Sequence, residues 1–189
     1  MKTQVWAHRG ASAYAPENTL EAFRLAAEMG ADGVELDVQL SRDGELVVAH
    51  DETIDRVSSG TGYIKDYTLA QLKKLSFNRL FPKFKDARIP TLKEVYELLK
   101  PAGLTVNVEL KTGIILYPEI EEKILALTAS MGMEDRVIYS SFCHPSLVRL
   151  KAVSYTHLDV YKRQVLNAAG DCDGQRCADG SRREISSPC

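Results

Sequence analysis

The sequence predicts an α/β fold in which helices cover one face of a parallel sheet and polar groups collect on the other. Three observations predict it. Short apolar runs of period 2 alternate with stretches of helical period, several of those stretches open on capping signals, and the strand-like runs carry their charge on one face only.

Taken in order, Val5 to His8 reads as the first strand. Asn18-Thr19-Leu20-Glu21 has capping-box form with Asn18 as the expected N-cap, and Gly30 lies where that helix should stop. Gly33 to Gln39 and Glu45 to His50 are the second and third strands. Residues 52 to 67, with Ser58-Ser59-Gly60-Thr61-Gly62, read as an exposed loop or hairpin. Thr68 and Thr91, each followed three residues later by Gln71 or Glu94, open two further helices. Between those helices, residues 76 to 90 form a long connection whose Phe77, Phe81 and Phe84 are expected to pack on the domain rather than cover a lipid. Leu104 to Lys111 is the fourth strand, and Glu119 to Ser130 is a helix with Ile120, Ile124, Leu125 and Leu127 on its buried side. Val137 to Phe142 is the fifth strand, followed by a helical start over Pro145 to Ala152.

With 24 basic and 26 acidic residues among 189, the net charge of −2 excludes a nucleic-acid footprint. No apolar run reaches the roughly 18 residues a spanning helix needs, and no signal-like segment precedes "VWAHRG", so the expected compartment is the cytoplasm. Cys143, Cys172, Cys177 and Cys189 lack zinc-site spacing and read as reduced thiols. Oligomeric state is open at this level.

The chemistry lies in "GVELDVQLSRDGELVVAHD". Alternation puts Glu35 and Asp37 on one face and Val34, Leu36 and Val38 on the other. In "LTVNVELK" the same parity sets Asn107, Glu109 and Lys111 opposite Val106, Val108 and Leu110. His8, Glu35, Asp37, His50, Glu109 and Lys111 all fall at or near the carboxyl ends of strands, where α/β folds bind ligands. One such acid or histidine is ordinarily solvated or paired. Three carboxylates and two histidines on four strand ends are not ordinary, because burying an unmatched ion costs several kcal/mol, order of magnitude. A metal resolves that cost, and an all-carboxylate set favours Mg²⁺ or Ca²⁺ over zinc.

"AHRGASAYAPENTLEAF", "GADGVELDVQLSRDGELVVAHD", "NVELK" and "RVIYSSFCHPSLVRLK", in this order, resemble the glycerophosphodiester phosphodiesterase family from about residue 4 to 151. The resemblance implies a TIM-type (β/α) barrel that hydrolyses glycerophosphodiesters to glycerol 3-phosphate and an alcohol, in glycerophospholipid metabolism. It implies that His8 and His50 are the acid/base pair, that Glu35, Asp37 and Glu109 hold the divalent ion, and that Arg9 and Lys111 contact phosphate. Glu17 and Asn18 of "PENT" would support that geometry. The attacking group is either water or the substrate's own glycerol hydroxyl, which gives a cyclic phosphate, and the second route is favoured. Cys143 is not expected to be a nucleophile.

An eight-stranded barrel takes roughly 250 residues. From Val153 the chain turns glycine-rich with little apolar periodicity, and "SYTHLDVYKRQ" resembles an adapter-derived translation. The expectation is therefore a barrel part over 1 to 152, truncated after the fifth strand and helix, and a non-native or disordered tail over 153 to 189. Two alternatives stand beside the enzyme: an inactive fragment that at best binds metal or phosphate, and a related barrel phosphodiesterase acting on lysophospholipid head groups.

Overall fold

The computed structural model describes residues 3–153. Five strands form one sheet: β1 (Trp6–His8), β2 (Gly33–Leu40), β3 (Leu46–Val48), β4 (Thr105–Leu110) and β5 (Val137–Ser140). Five helices accompany them: α1 (Leu20–Glu28), α2 (Leu69–Leu72), α3 (Leu92–Ala102), α4 (Ile120–Ser130) and α5 (His144–Val153). Strands β1, β2, β4 and β5 are parallel, as the sequence predicts, and lie adjacent in that order.

β3 differs. It pairs antiparallel with β2, Val38 opposite Val48 and Leu40 opposite Leu46. Residues 41 to 45 are the reason, since a parallel return needs a crossover of about a dozen residues or more. The turn is closed locally: Ser41 Oγ donates to Asp43 Oδ1 (2.6 Å) and accepts from the Glu45 N–H (3.0 Å). His50 therefore does not ride on a parallel strand equivalent to those of Glu35 or Glu109. It follows a hairpin strand that folds back along β2, where the Ala49 N–H donates to the Asp37 carbonyl (3.0 Å).

The aliphatic face of the sheet is the core. Val34, Leu36, Val38, Val106, Val108 and Leu110 pack with Phe23 of α1, Val95, Tyr96 and Leu99 of α3, and Ile120 and Ile124 of α4. Leu125 and Leu127 are only half-buried at its margin. Each fully buried side chain of this size contributes about 1.5–3 kcal/mol relative to exposure. A second apolar cluster of Val47, Ala49, Ile54, Ile64, Leu72, Phe77 and Ile89 lies under residues 52 to 90. The expected hairpin there is present as a Thr53–Tyr63 bridge, but Ile54 and Ile64 point inward and are fully buried. Phe77 joins this cluster, as expected, while Phe81 and Phe84 meet edge to face at 6.3 Å and are half-buried.

Thr68 and Thr91 each form a complete capping box. For α1 the expectation is corrected: Thr19, not Asn18, is the N-cap and accepts from the Ala22 N–H (3.3 Å). Asn18 is left-handed (φ 56°), one residue outside the helix, and its amide is drawn elsewhere. Val153 is the last residue of α5, and the remainder of the expected tail, with Cys172, Cys177 and Cys189, lies outside the described residues. Among the described residues no helix is long and apolar enough to cross a membrane.

Candidate active site

Register brings the polar faces of the strands together. His8 lies beside Glu35 across β1 and β2, and Asp37 lies beside Glu109 across β2 and β4. One ligand atom from each of Glu35, Asp37 and Glu109 falls within 4.8 Å of the others. Asp37 is buried (1% exposed).

Donors surround these acids. His8 Nε2 is 3.7 Å from Glu35 Oε2, which also accepts the Arg9 backbone N–H (3.2 Å). Arg9 Nε lies 3.5 Å from Asp37 Oδ2, and its Nη1 donates to Glu17 Oε1 (3.1 Å). Asn18 Nδ2 donates to Asp37 Oδ2 (2.9 Å). Lys111 Nζ donates to Glu109 Oε1 (3.1 Å) and lies 3.8 Å from Asp37 Oδ1.

The β1–α1 connection makes this approach possible. Arg9 is left-handed (φ 57°), a conformation that costs a non-glycine residue on the order of 1–3 kcal/mol. Gly10 follows at φ 76°, and a Cβ there would stand 2.7 Å from the Ala22 carbonyl carbon. Only glycine allows the loop to lie so close to α1.

Crowded carboxylates carry an electrostatic cost. Burial first, and then the Asp37 charge, push the Glu35 carboxyl up to about 8, with Glu109 adding to the rise and the Arg9 backbone hydrogen bond opposing it. Asp37 Oδ1 is buried without a hydrogen-bond partner. Three oxygen-donor acids, one of them with an orphaned buried acceptor, fit a hard divalent cation. Arg9 Nε is a buried donor likewise without a hydrogen-bond partner, suited to an anionic ligand.

His50 enters through a chain of hydrogen bonds. Its Nδ1 is 2.7 Å from Asp51 Oδ1, and Arg56 Nε donates to Asp51 Oδ2 (2.7 Å). Arg56 Nη1 and Nη2 donate to Glu17 Oε2 and Oε1 (2.7 and 2.8 Å), and Glu17 meets Arg9. Hydrogen bonds and charge from Arg56, with Arg9 adding, hold the Glu17 carboxyl below its usual range. Burial opposes ionisation of Asp51, but its hydrogen bonds from Arg56 and His50 outweigh that and lower it as well.

The backbone bearing His50 is pinned by Gln39. Its buried amide nitrogen lies 2.9, 3.2 and 2.7 Å from the carbonyls of Ala49, His50 and Asp51, and its Oε1 accepts from the Tyr117 hydroxyl (2.9 Å). Contacts thus join all nine residues nominated from sequence. Sequence reasoning missed Gln39, Asp51, Arg56 and Tyr117. Extending the β2 parity by one step finds Gln39, and adjacency to His50 points to Asp51, whereas Arg56 and Tyr117 carry no local signal. Cys143 is buried at the entry to α5.

Fold and site define an α/β protein with a parallel sheet, in which three clustered acids could hold a metal ion and the Arg9 and Lys111 donors lie beside them. The chain belongs to the glycerophosphoryl diester phosphodiesterase family, whose profile matches residues 8–170. It is 53% identical over 161 residues to a glycerophosphodiester phosphodiesterase of Caldanaerobacter subterraneus subsp. tengcongensis, covering 85% of this chain and 66% of that protein. It is 42% identical over 168 residues to one of Bacillus altitudinis, covering 87% and 69%. Among solved structures, the glycerophosphodiester phosphodiesterase of Agrobacterium tumefaciens superposes with a TM-score of 0.74 at 37% identity, covering 81% of this chain and 64% of that one. A phosphodiesterase of Oleispira antarctica in complex with the product sn-glycerol-3-phosphate superposes with a TM-score of 0.69 at 36% identity, covering 80% and 62%. The chain thus spans about two thirds of the length of these relatives.

Proposed function

We propose that this chain hydrolyses glycerophosphodiesters to glycerol 3-phosphate and an alcohol, using His8 and His50 for proton transfer and a divalent cation, Mg²⁺ or Ca²⁺. The observation that carries the reading is the convergence of Glu35, Asp37 and Glu109 within 4.8 Å, ringed by His8, Arg9 and Lys111. Family membership and the product bound by the Oleispira antarctica relative support the substrate class.

Glu35, Asp37 and Glu109 would hold the cation, which when bound adds positive charge where negative charge builds on the phosphoryl oxygens. Arg9 and Lys111 bind and orient the phosphate from the chain itself. The glycerol hydroxyl next to the phosphate attacks phosphorus as one histidine takes its proton. The phosphorus–oxygen bond to the alcohol breaks, and the other histidine protonates the departing oxygen. Water then opens the cyclic phosphate to glycerol 3-phosphate with the two roles exchanged.

The test is release of glycerol 3-phosphate from glycerophosphocholine in Mg²⁺, Ca²⁺ and EDTA arms, with His8→Ala as control. Release that needs both metal and His8 is expected. Absence of release by a chain that still binds metal would reduce the reading to a binding fragment. Trapping a cyclic glycerol phosphate supports the hydroxyl route, and its absence under single-turnover conditions counts against it.

A further inference from the structure

Arg56 is more than half of an exposed ion pair. Three of its nitrogens engage two carboxylates, Nε on Asp51 and the two Nη on both oxygens of Glu17, all at 2.7–2.8 Å. Those carboxylates belong to separate segments, one following β3 and one following β1. Glu17 in turn holds the Arg9 guanidinium, which lies beside Asp37.

The Asp51 carboxylate is committed on both sides, Oδ1 to His50 and Oδ2 to Arg56. An ionised carboxylate only accepts, so His50 Nδ1 must carry the proton that points at it. That leaves Nε2 as the nitrogen able to take or give a proton. Fixing Oδ2 with a planar guanidinium fixes the carboxylate plane, and with it the imidazole plane. Asp51 without Arg56 would be a half-exposed side chain, able to turn and release either tautomer of His50.

We infer that Arg56 is a positioning residue that sets the tautomer and orientation of His50 through Asp51, and registers that histidine against the Glu17–Arg9 side of the site. The inference rests on the phosphodiesterase reading for its catalytic consequence but not for its geometry. Lysine is a poor substitute, because one ammonium cannot present three nitrogens to two carboxylates in a fixed plane. An exposed pair such as Arg149–Glu122 (3.1 Å), away from these contacts, provides the contrast.

The test combines spectroscopy with kinetics on the full chain. Histidine is labelled with ¹⁵N, and imidazole spectra are recorded without metal at about pH 9, above the ordinary histidine range. The His50 signal is assigned by its loss in His50→Gln. Wild type is expected to show His50 as the single Nδ1-protonated tautomer, and Arg56→Ala a mixture, with Arg56→Lys between them. In glycerophosphocholine turnover, Arg56→Ala should lower kcat tenfold to a hundredfold, order of magnitude, inside the range of general acid–base catalysis. KM should stay within about twofold, because phosphate is held by other residues. Added guanidinium should restore part of the rate, and Arg149→Ala should change neither parameter.

An unchanged His50 spectrum in Arg56→Ala overturns the inference, even if kcat falls, because the loss would then be one of structure alone. A wild-type chain that releases no glycerol 3-phosphate would count against the proposed function, and the imidazole spectrum would then decide the role of Arg56 by itself.

Discussion

Asp37 is where the charges of the site meet: Arg9 and Asn18 address one oxygen, Lys111 approaches the other, and Glu35 and Glu109 flank it. Burial first, and then the neighbouring Asp37 charge, raise the Glu35 carboxyl, which yields a pH prediction for the metal-free chain. Its folded value, about 8, exceeds its ordinary 4.5, so between those values the folded state binds more protons than the unfolded state. Stability from this residue is complete below the lower value and is lost as pH rises through the upper one. In EDTA the unfolding free energy should fall with pH across that window, with a slope of up to about 1.4 kcal/mol per pH unit. Glu35→Gln should remove this component and Asp37→Asn should shrink it, both read from urea unfolding at stepped pH. A wild-type profile that is flat, or indistinguishable from that of Glu35→Gln, would refute the assignment. The acids of this cluster were legible in the sequence because strand alternation is local and forces Glu35, Asp37 and Glu109 onto one kind of face. Arg56 was not, because one of its two carboxylate partners, Glu17, lies 39 residues away in the chain and meets it only in the folded state.

Among the elements, the β2–β3 hairpin and the connection after β4 decide where His50 stands. The five-residue interval from 41 to 45 already rules out a parallel β3 on length alone, so this departure from the expected strand set was readable. The Asn18 cap was not, since Asn18/Glu21 and Thr19 offer overlapping start signals, and the pull of Asp37 on the Asn18 amide decides between them. Gln39 is the tie between elements: it clamps the three carbonyls around His50 and is itself clamped by Tyr117 from the β4–α4 connection. Gln39→Leu keeps much of the volume but leaves those carbonyls and the Tyr117 hydroxyl without their partner. Unsatisfied buried groups of this kind cost about 1–3 kcal/mol each, so a loss of at least that size is expected in urea unfolding. Tyr117→Phe should cost less, because it orphans one acceptor and leaves the Gln39 amide nitrogen engaged. Equal losses for the two variants would mean that the carbonyl clamp contributes nothing.

At the scale of the molecule, the acid cluster sits on β2 and β4, the adjacent pair at the centre of the four parallel strands. Repulsion between Asp37 and Glu109, joined by Glu35 once it ionises, therefore acts across the strand pairing that unites both halves of the main core, and a bound cation reverses its sign. Metal binding should accordingly appear as stabilisation of the whole fold rather than local ordering of a loop. A ligand present at 100 times its dissociation constant stabilises by about 2.7 kcal/mol. In a domain of this size each kcal/mol moves the midpoint by about 2–4 °C, so saturating Mg²⁺ or Ca²⁺ should raise Tm by about 5–10 °C. EDTA should reverse the shift and Asp37→Asn should abolish it, while the ion giving the larger shift at equal concentration is the one the cluster prefers. A Tm unmoved by either ion at saturating concentration would show that the three carboxylates do not form a cation site in this chain. The same experiment also tests the coupling between the Glu35 proton and the cation. Cation binding requires Glu35 to lose its proton, so the metal-induced shift should grow as pH rises from about 5 to 8, as the metal-free stability declines.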